Sequence, residues 1–467
     1  MSTQLSPQVF LRLGQLQDPD GSLLPSLRHL HISENPYFDH LDIFLSPSLK
    51  TLEIRPLSTN ISHCGLASFL DSAVELSPHL ETLILVDSYE LPRKVFDSCS
   101  KFGQLRHLEL IDVVASAIDP LLHNMGSLEQ HLEEFVLQEH RNPSLHMHSS
   151  QTTVNSVQTS VVDGLPDVID VPTSDTVTAP ALGVPSRSPV PSTAGYGTHF
   201  AVSQGLKTLK ITGTSDLIEK VVSAITSPVL HDLCVTFTTN IPSKTKKRKG
   251  NAERMEKPVK SKENVVDLVT FILTIAINRW KALVSINVKA DIRKMVFLPE
   301  NIFRHFLLHP SVRRLEITGF DISSADSALS DLAAQRHISQ LEVLLLPTNR
   351  SYNISFYRLR EIAEACPKLT SLRCVVDLAS LVPQLSDSML HQLHELSVVS
   401  DNIGGPGLQH ASLVACFIDS LFPNLAKMAV EVESTRAEYG REWLQVFEMV
   451  KLFQTARAQE RRRLRIL

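Results

Sequence analysis

The chain has 467 residues, of which 43% are hydrophobic, so it is long enough to bury a sizeable core. Its 50 acidic and 45 basic residues leave a formal net charge of −5, and this near balance favours neither a nucleic-acid nor a membrane partner. Six cysteines are scattered without the paired spacings of a zinc site or a disulfide framework. With no secretory leader apparent, we expect an intracellular protein, cytoplasmic or nuclear or both.

One six-residue pattern, Leu-x-x-Leu-x-Ile/Leu/Val, recurs along most of the chain. Its last two apolar positions alternate with polar ones, which is typical of a short strand with one buried face. Most copies begin 22 to 32 residues after the previous one. The thirteen copies begin at Leu27, Leu49, Leu80, Leu105, Leu132, Leu206, Leu230, Leu283, Val312, Leu341, Leu369, Leu393 and Leu425.

Helical patterns lie between these strand patterns, as in Leu66, Phe69, Leu70 and Ala73. One strand and one helix cannot bury their apolar faces alone, whereas stacked copies can. We therefore predict an α/β fold, a leucine-rich-repeat solenoid with a parallel concave sheet and helices on the convex side. The alternative is an ordinary α/β domain with leucine-rich strands.

A proline stands two residues before the first leucine of seven copies. Because proline cannot continue a helix, we expect it to end the preceding helix and to set an extended entry into the strand. These prolines are Pro25, Pro47, Pro78, Pro228, Pro310, Pro367 and Pro423.

Two inserts divide the repeats into segments 1–140, 201–239 and 264–467. Residues 141–200 are rich in Ser, Thr, Pro and Val, a composition that predicts disorder, with a short partner-binding motif as the alternative. Residues 240–263 form a basic segment that we predict to be a disordered loop. Its lysine-rich run is either a nuclear-import signal or a solvated loop, and it comprises Lys244, Lys246, Lys247, Arg248 and Lys249.

Two further helices are predicted from apolar spacing. The stretch Val265–Ile277 is interrupted by Asp267 and is too short to span a bilayer, which indicates a buried amphipathic helix. A second helix, built on Trp443, Phe447 and Val450, is expected to cap the C-terminal end of the repeats.

The motifs of common enzymes are missing from the sequence. It has no phosphate-binding loop, no dinucleotide glycine fingerprint, no nucleophile elbow and no His-Glu-x-x-His. His29 and His31 have the spacing that points both to one face of a strand, but no third ligand accompanies them. We therefore expect no enzyme activity, no cofactor and no metal.

Polar residues within the strand patterns should project from the concave face. Their mixed charges suit a protein partner better than a polyanion or a membrane. The candidate binding residues are His29, His31, Glu53, Arg55, His107, Glu109, Arg314, Glu316, Val343, Leu345 and Arg373.

Four segments, Leu23–His31, Phe44–Leu52, Leu76–Leu83 and Ala365–Leu372, resemble the leucine-rich-repeat region of fungal F-box proteins. In that family the repeats hold a substrate, while an N-terminal F-box docks a ubiquitin ligase through a Skp-type adaptor. The resemblance therefore implies a substrate-recognition scaffold. No F-box precedes Leu27, so we do not expect this chain to recruit the adaptor as it stands. A stand-alone repeat protein with a regulatory role in the nucleus is the alternative.

Overall fold

A computed structural model describes residues 12, 23–33, 41–55, 63–86, 91, 93–114, 118–122, 131–140, 205–238, 263–291, 296–322, 326–334, 340–348, 353–377, 380, 382–383, 391–400, 408–432 and 437–466. Thirteen strands form a single parallel sheet, and strands that are neighbours in the sheet follow one another along the chain. The predicted inserts, and with them the run Lys244–Lys249, lie outside the described residues, except that a helix begins at Glu263.

Each of the thirteen sequence copies contributes one strand to this sheet, as the pattern predicts. The strands are β1 (His29–Ser33), β2 (Thr51–Arg55), β3 (Thr82–Leu85), β4 (His107–Val113), β5 (Glu134–Glu139), β6 (Thr208–Gly213), β7 (Asp232–Thr238), β8 (Ser285–Asp291), β10 (Arg314–Thr318), β12 (Val343–Leu345), β13 (Ser371–Val375), β14 (Glu395–Ser400) and β15 (Lys427–Val432). Two short strands, β9 (Val296–Phe297) and β11 (Phe320–Asp321), pair separately.

Helices connect most of these strands, and successive helices pack against one another. A short 3-10 helix spans Asp42–Phe44. The α-helices are α1 (His63–Leu76), α2 (Arg93–Cys99), α3 (Ser215–Ala224), α4 (Glu263–Arg279), α5 (Glu300–Leu307), α6 (Asp326–Ala334), α7 (Phe356–Ala365), α8 (Leu408–Leu421) and α9 (Ala437–Ile466).

The core lies between the sheet and these helices. In the strand register Leu52 stands between Leu30 and Leu83, and Ile54 stands between Ile32 and Leu85, so the repeat leucines stack in rows. Leu52, Leu83 and Leu85 have no exposed surface. Each buried side chain of this size stabilises the fold by about 1.5–3 kcal/mol, and one repeat completes the burial of the next.

The two helices predicted from apolar spacing are present. The α4 helix buries Val269, Ile272 and Leu273 against the core, and α9 buries Trp443 and Phe447 while it packs on α8 and β15. Among the described residues, no helix is both long and apolar enough to cross a bilayer.

Six of the seven repeat prolines follow the last residue of a helix by two to four residues, but the predicted extended entry is wrong. Pro47 and Pro78 lie within tight turns, in which the amide of Leu49 donates to the Ser46 carbonyl at 3.0 Å and that of Leu80 to the Ser77 carbonyl at 3.1 Å. Proline suits the second position of such a turn because its φ is fixed near the required value. The turn reverses the chain from helix to strand over two residues.

Buried serines join one turn to the next. The Ser77 hydroxyl donates to the Ser46 carbonyl at 2.9 Å, and the Ser46 hydroxyl donates to the Leu27 carbonyl at 3.0 Å. Ser46 and Ser77 have no exposed surface, so these bonds give acceptors to two hydroxyls that water cannot reach.

Candidate functional site

The face of the sheet that is turned away from the core, here called the outward face, carries two rows of aligned side chains. The first outer row runs along the sheet through His29, Thr51, Thr82, His107, Glu134, Thr208, Asp232, Ser285, Arg314, Val343, Ser371, Glu395 and Lys427. The second outer row, two residues further along each strand, comprises His31, Glu53, Ile84, Glu109, Val136, Lys210, Cys234, Asn287, Glu316, Leu345, Arg373, Ser397 and Ala429.

All eleven candidate binding residues lie on this outward face. Four are in the first outer row and six in the second, while Arg55 lies two residues beyond the second row, opposite Ser33. They do not converge on one pocket, because they are spread from β1 to β13 at about 4.8 Å per strand. The structure therefore presents an extended surface in place of a compact site.

The most densely charged part of the outward face surrounds His107 on β4. Its Nδ1 lies 3.0 Å from Oε2 of Glu134, and its Nε2 lies 3.4 Å from Oε2 of Glu109. Lys210 donates to the other oxygen of Glu134 at 2.8 Å. Partial burial raises the pKa of Glu134, but the hydrogen bonds from Lys210 and His107 outweigh that effect and hold the pKa below its usual value. The same bond to Glu134 raises the pKa of Lys210.

The edge of the sheet at β1 and β2 carries a smaller cluster. Glu53 forms an ion pair with Arg55, and one of its oxygens lies 3.5 Å from Nδ1 of His31. Within the described part of the chain, no group of three or more His, Cys, Asp or Glu residues is arranged to hold a metal ion.

The outward face from β10 to β15 combines charged and apolar side chains. Arg314 pairs with Glu316 at 3.4 Å, and Lys427 pairs with Glu395 at 2.6 Å. Val343 and Leu345 lie on β12, directly beside Arg314 and Glu316 in the register, and both are partly buried. Mixed charge beside partly exposed apolar groups is typical of surfaces that bind proteins.

Sequence reasoning did not single out two apolar residues of the second outer row. Ile84 and Val136 flank Glu109 in the register, and both are partly exposed. The signal was present, because each stands at a position of the Leu-x-x-Leu-x-Leu pattern where the alternation predicts a polar residue.

A buried carboxylate also escaped sequence reasoning. Glu139, the last residue of β5, accepts hydrogen bonds from the amide and, at 3.2 Å, from the hydroxyl of Thr214, the residue that precedes α3. A carboxylate at a helix N-terminus is stabilised by the helix dipole. Gly213 leaves room for the Glu139 carboxylate, because a Cβ at Gly213 would stand 2.8 Å from Oε2 of Glu139. This contact ties together the strands on either side of residues 141–204.

Comparisons with known proteins found distant structural similarity and no similarity in sequence family. No protein-family model matches the chain, and no curated protein matches it. A solved structure with some similarity is the complex of Rad7 and Elc1 from yeast, at 14% sequence identity and a TM-score of 0.32, over 81% of this chain and 77% of that chain. A likeness of this degree assigns neither a family nor a function.

Proposed function

We propose that this chain is a leucine-rich-repeat solenoid that serves as a protein–protein interaction scaffold, with the outward face of its sheet as the binding surface. The observation that carries the proposal is the pair of outer rows, which present thirteen aligned positions each on one parallel sheet. A repeat architecture of this kind produces extended binding surfaces, because each added repeat lengthens the same face.

The charges of the outward face favour a protein as the partner. Acidic and basic side chains alternate and neutralise each other locally, as in Glu134 with Lys210 and Arg314 with Glu316. A polyanion such as nucleic acid would require a surface of predominantly positive sign. We accordingly propose a binding role without catalysis and without a cofactor.

The finer proposal is that the scaffold resembles the substrate-recognition repeats of an F-box subunit of a ubiquitin ligase. It is supported by the turn-and-leucine segments, such as Phe44–Leu52 and Ala365–Leu372, that resemble the fungal members of that family. On this proposal the protein held by the outward face is a substrate.

Two matched charge-reversal variants test the binding proposal. Glu109→Arg with Glu316→Arg changes two positions of the second outer row, whereas Glu219→Arg with Glu448→Arg makes the same change in charge on exposed faces of α3 and α9. Proteins captured by the tagged full chain would be identified by mass spectrometry, and the affinity of a purified partner would be measured for each variant.

We expect the outer-row variant to lose partners that the wild type and the helix variant retain. Skp and cullin subunits among those partners would support the ligase proposal. Equal binding by the two variants would contradict the proposal that the outward face is the binding surface.

The second candidate, a stand-alone regulatory protein in the nucleus, is favoured by the basic run Lys244–Lys249. If that run is an import signal, replacing Lys246, Lys247 and Arg248 with alanine should shift a fluorescent fusion from the nucleus to the cytoplasm. Captured import receptors or chromatin proteins would support this candidate, and a wild-type fusion confined to the cytoplasm would contradict it.

A further inference from the structure

We infer that Arg373 on β13, with Val343 and Leu345 beside it, forms an anchor for an extended segment of a partner protein that carries a carboxylate next to an apolar side chain. The inference rests on the proposed binding function of the outward face and specifies the chemistry of the segment that this part of the face would hold.

The guanidinium group of Arg373 has one long hydrogen bond within the described part of the chain, and one of its nitrogens has no partner there. Its Nε donates to the Leu346 carbonyl at 3.4 Å, which is long for such a bond. Its Nη2 is buried and, within the described part of the chain, has no hydrogen-bond partner, so the side chain would have to turn outward for this nitrogen to meet an acceptor on a partner. A buried cationic N–H group without an acceptor is costly, so this side chain gains more from a new acceptor than a solvated arginine would.

Two carboxylates on strands near Arg373 are already engaged in ion pairs. Two strands away, Glu316 lies 3.4 Å from Arg314. On the adjacent strand, Glu395 lies 2.6 Å from Lys427. Within the described part of the chain no ion pair neutralises Arg373, and a carboxylate from a partner is its charge complement.

The side chains next to Arg373 define the second requirement. Leu345 is its direct neighbour in the second outer row, and Val343 lies on the same strand in the first outer row. Both project from the same face as the guanidinium and are partly buried. Arginine beside apolar groups is enriched at the residues that dominate protein interfaces, because water is excluded around the charged contact.

An extended peptide fits this arrangement better than a polyanion. Once Nη2 is turned outward, a carboxylate can accept two parallel N–H bonds from the guanidinium, a geometry that lysine cannot offer. An apolar residue adjacent to the carboxylate would cover Leu345. A phosphate chain would place further negative charge against Glu316 and Glu395, which disfavours it.

Selection from a random peptide library displayed on phage, with the purified full chain as bait, tests the inference. We expect the enriched peptides to carry Asp or Glu next to an apolar residue. Affinities of one enriched peptide, and of the same peptide with its acidic residue replaced by the corresponding amide, would then be measured by fluorescence anisotropy. The chains compared would be the wild type, Arg373→Gln and Arg461→Gln, a control on the exposed end of α9.

For the wild type, the amide peptide should bind roughly tenfold or more weakly than the acidic peptide, as expected for a lost charge-assisted pair. For Arg373→Gln the two peptides should bind alike, and Arg461→Gln, the matched control on α9, should still discriminate between them. Enrichment without acidic residues, no enrichment above an Arg373→Gln bait, or discrimination that survives in Arg373→Gln would overturn the inference.

The same measurements separate this inference from the proposed function. If partners depend on Glu109 and Glu316 while Arg373→Gln changes nothing, the outward face binds proteins and only the anchor is wrong. If the charge-reversed outer-row variant also binds every partner and every peptide as the wild type does, the proposed function fails as well.

Discussion

Leu315 and Arg314 are adjacent on β10 and face opposite sides of the sheet, so together they test the assignment of the two faces. Leu315 has no exposed surface and stands in the register between Ile286 and Leu344, which are also fully buried. Truncating the Leu315 side chain leaves a cavity, and Ile286 and Leu344 cannot readily move to fill it because their strands are held in the sheet. We therefore expect Leu315→Ala to lower the free energy of unfolding by about 2–5 kcal/mol, in the upper part of that range.

Arg314→Ala should have a much smaller effect. The Arg314 side chain is 51% exposed, and its pairing with Glu316 at 3.4 Å is an ion pair at the surface. Such pairs contribute about 0–1 kcal/mol, and we expect a loss of about 0.5 kcal/mol or less.

Urea denaturation followed by circular dichroism gives both values, provided that the slope of the transition is the same for each variant. Because repeat arrays can unfold in parts, hydrogen exchange of the amides in β8, β10 and β12 should be measured as well. Leu315→Ala should accelerate exchange in these three strands first. Equal losses of stability for the two variants would refute the assignment of faces on which the binding surface depends.

Three further predictions follow from particular backbone and side-chain positions. Gly319 has a positive φ of 76°, and a Cβ there would meet the Ala290 carbonyl oxygen at 2.0 Å. Gly319→Ala should therefore clearly lower the melting temperature. Gly103→Ala is the control and should leave the melting temperature unchanged, because a Cβ at Gly103 would meet nothing within 4 Å. Burial lowers the pKa of His391, so the unfolded chain binds a proton there more readily than the folded chain does. The wild type should therefore lose stability as the pH falls below about 6.5, and His391→Gln should lose less stability over the same range. Urea denaturation at pH 7.5 and at pH 5.5 measures both losses. The Ser355 hydroxyl accepts a hydrogen bond from the Arg358 amide at the start of α7. Ser355→Ala should lower the free energy of unfolding by about 1 kcal/mol, as measured by urea denaturation. An unchanged midpoint would show that this cap does not stabilise the fold.

Much of this fold follows from local sequence pattern. The period of two in segments such as Leu49–Ile54 fixes which side chains face the core, and the pattern recurs often enough to predict every strand of the large sheet. Helix α7 could likewise be predicted, because Phe356, Leu359 and Ile362 recur at helical spacing and all are buried.

What the sequence did not predict depends on contacts between distant positions. Glu139 and Thr214 are separated by 75 residues, and nothing local marks either as the partner of the other. The chain reversal at Pro47 follows from a hydrogen bond between Leu49 and Ser46, which the presence of proline permits but does not require. Alternation determines facing, so the eleven candidate binding residues could be assigned to one face of the sheet from the sequence. That Nη2 of Arg373 has no partner within the described part of the chain is visible only in three dimensions.

Carboxyl footprinting of the free chain and of its complex with a captured partner tests the binding face most directly. Carbodiimide labels accessible carboxylates, and mass spectrometry reports the label at each one. Binding through the outward face predicts that Glu53, Glu109 and Glu316 lose label in the complex while Glu219 on α3 and Glu448 on α9 keep theirs. Protection of the two helix carboxylates, with the three on the sheet labelled as in the free chain, would contradict it.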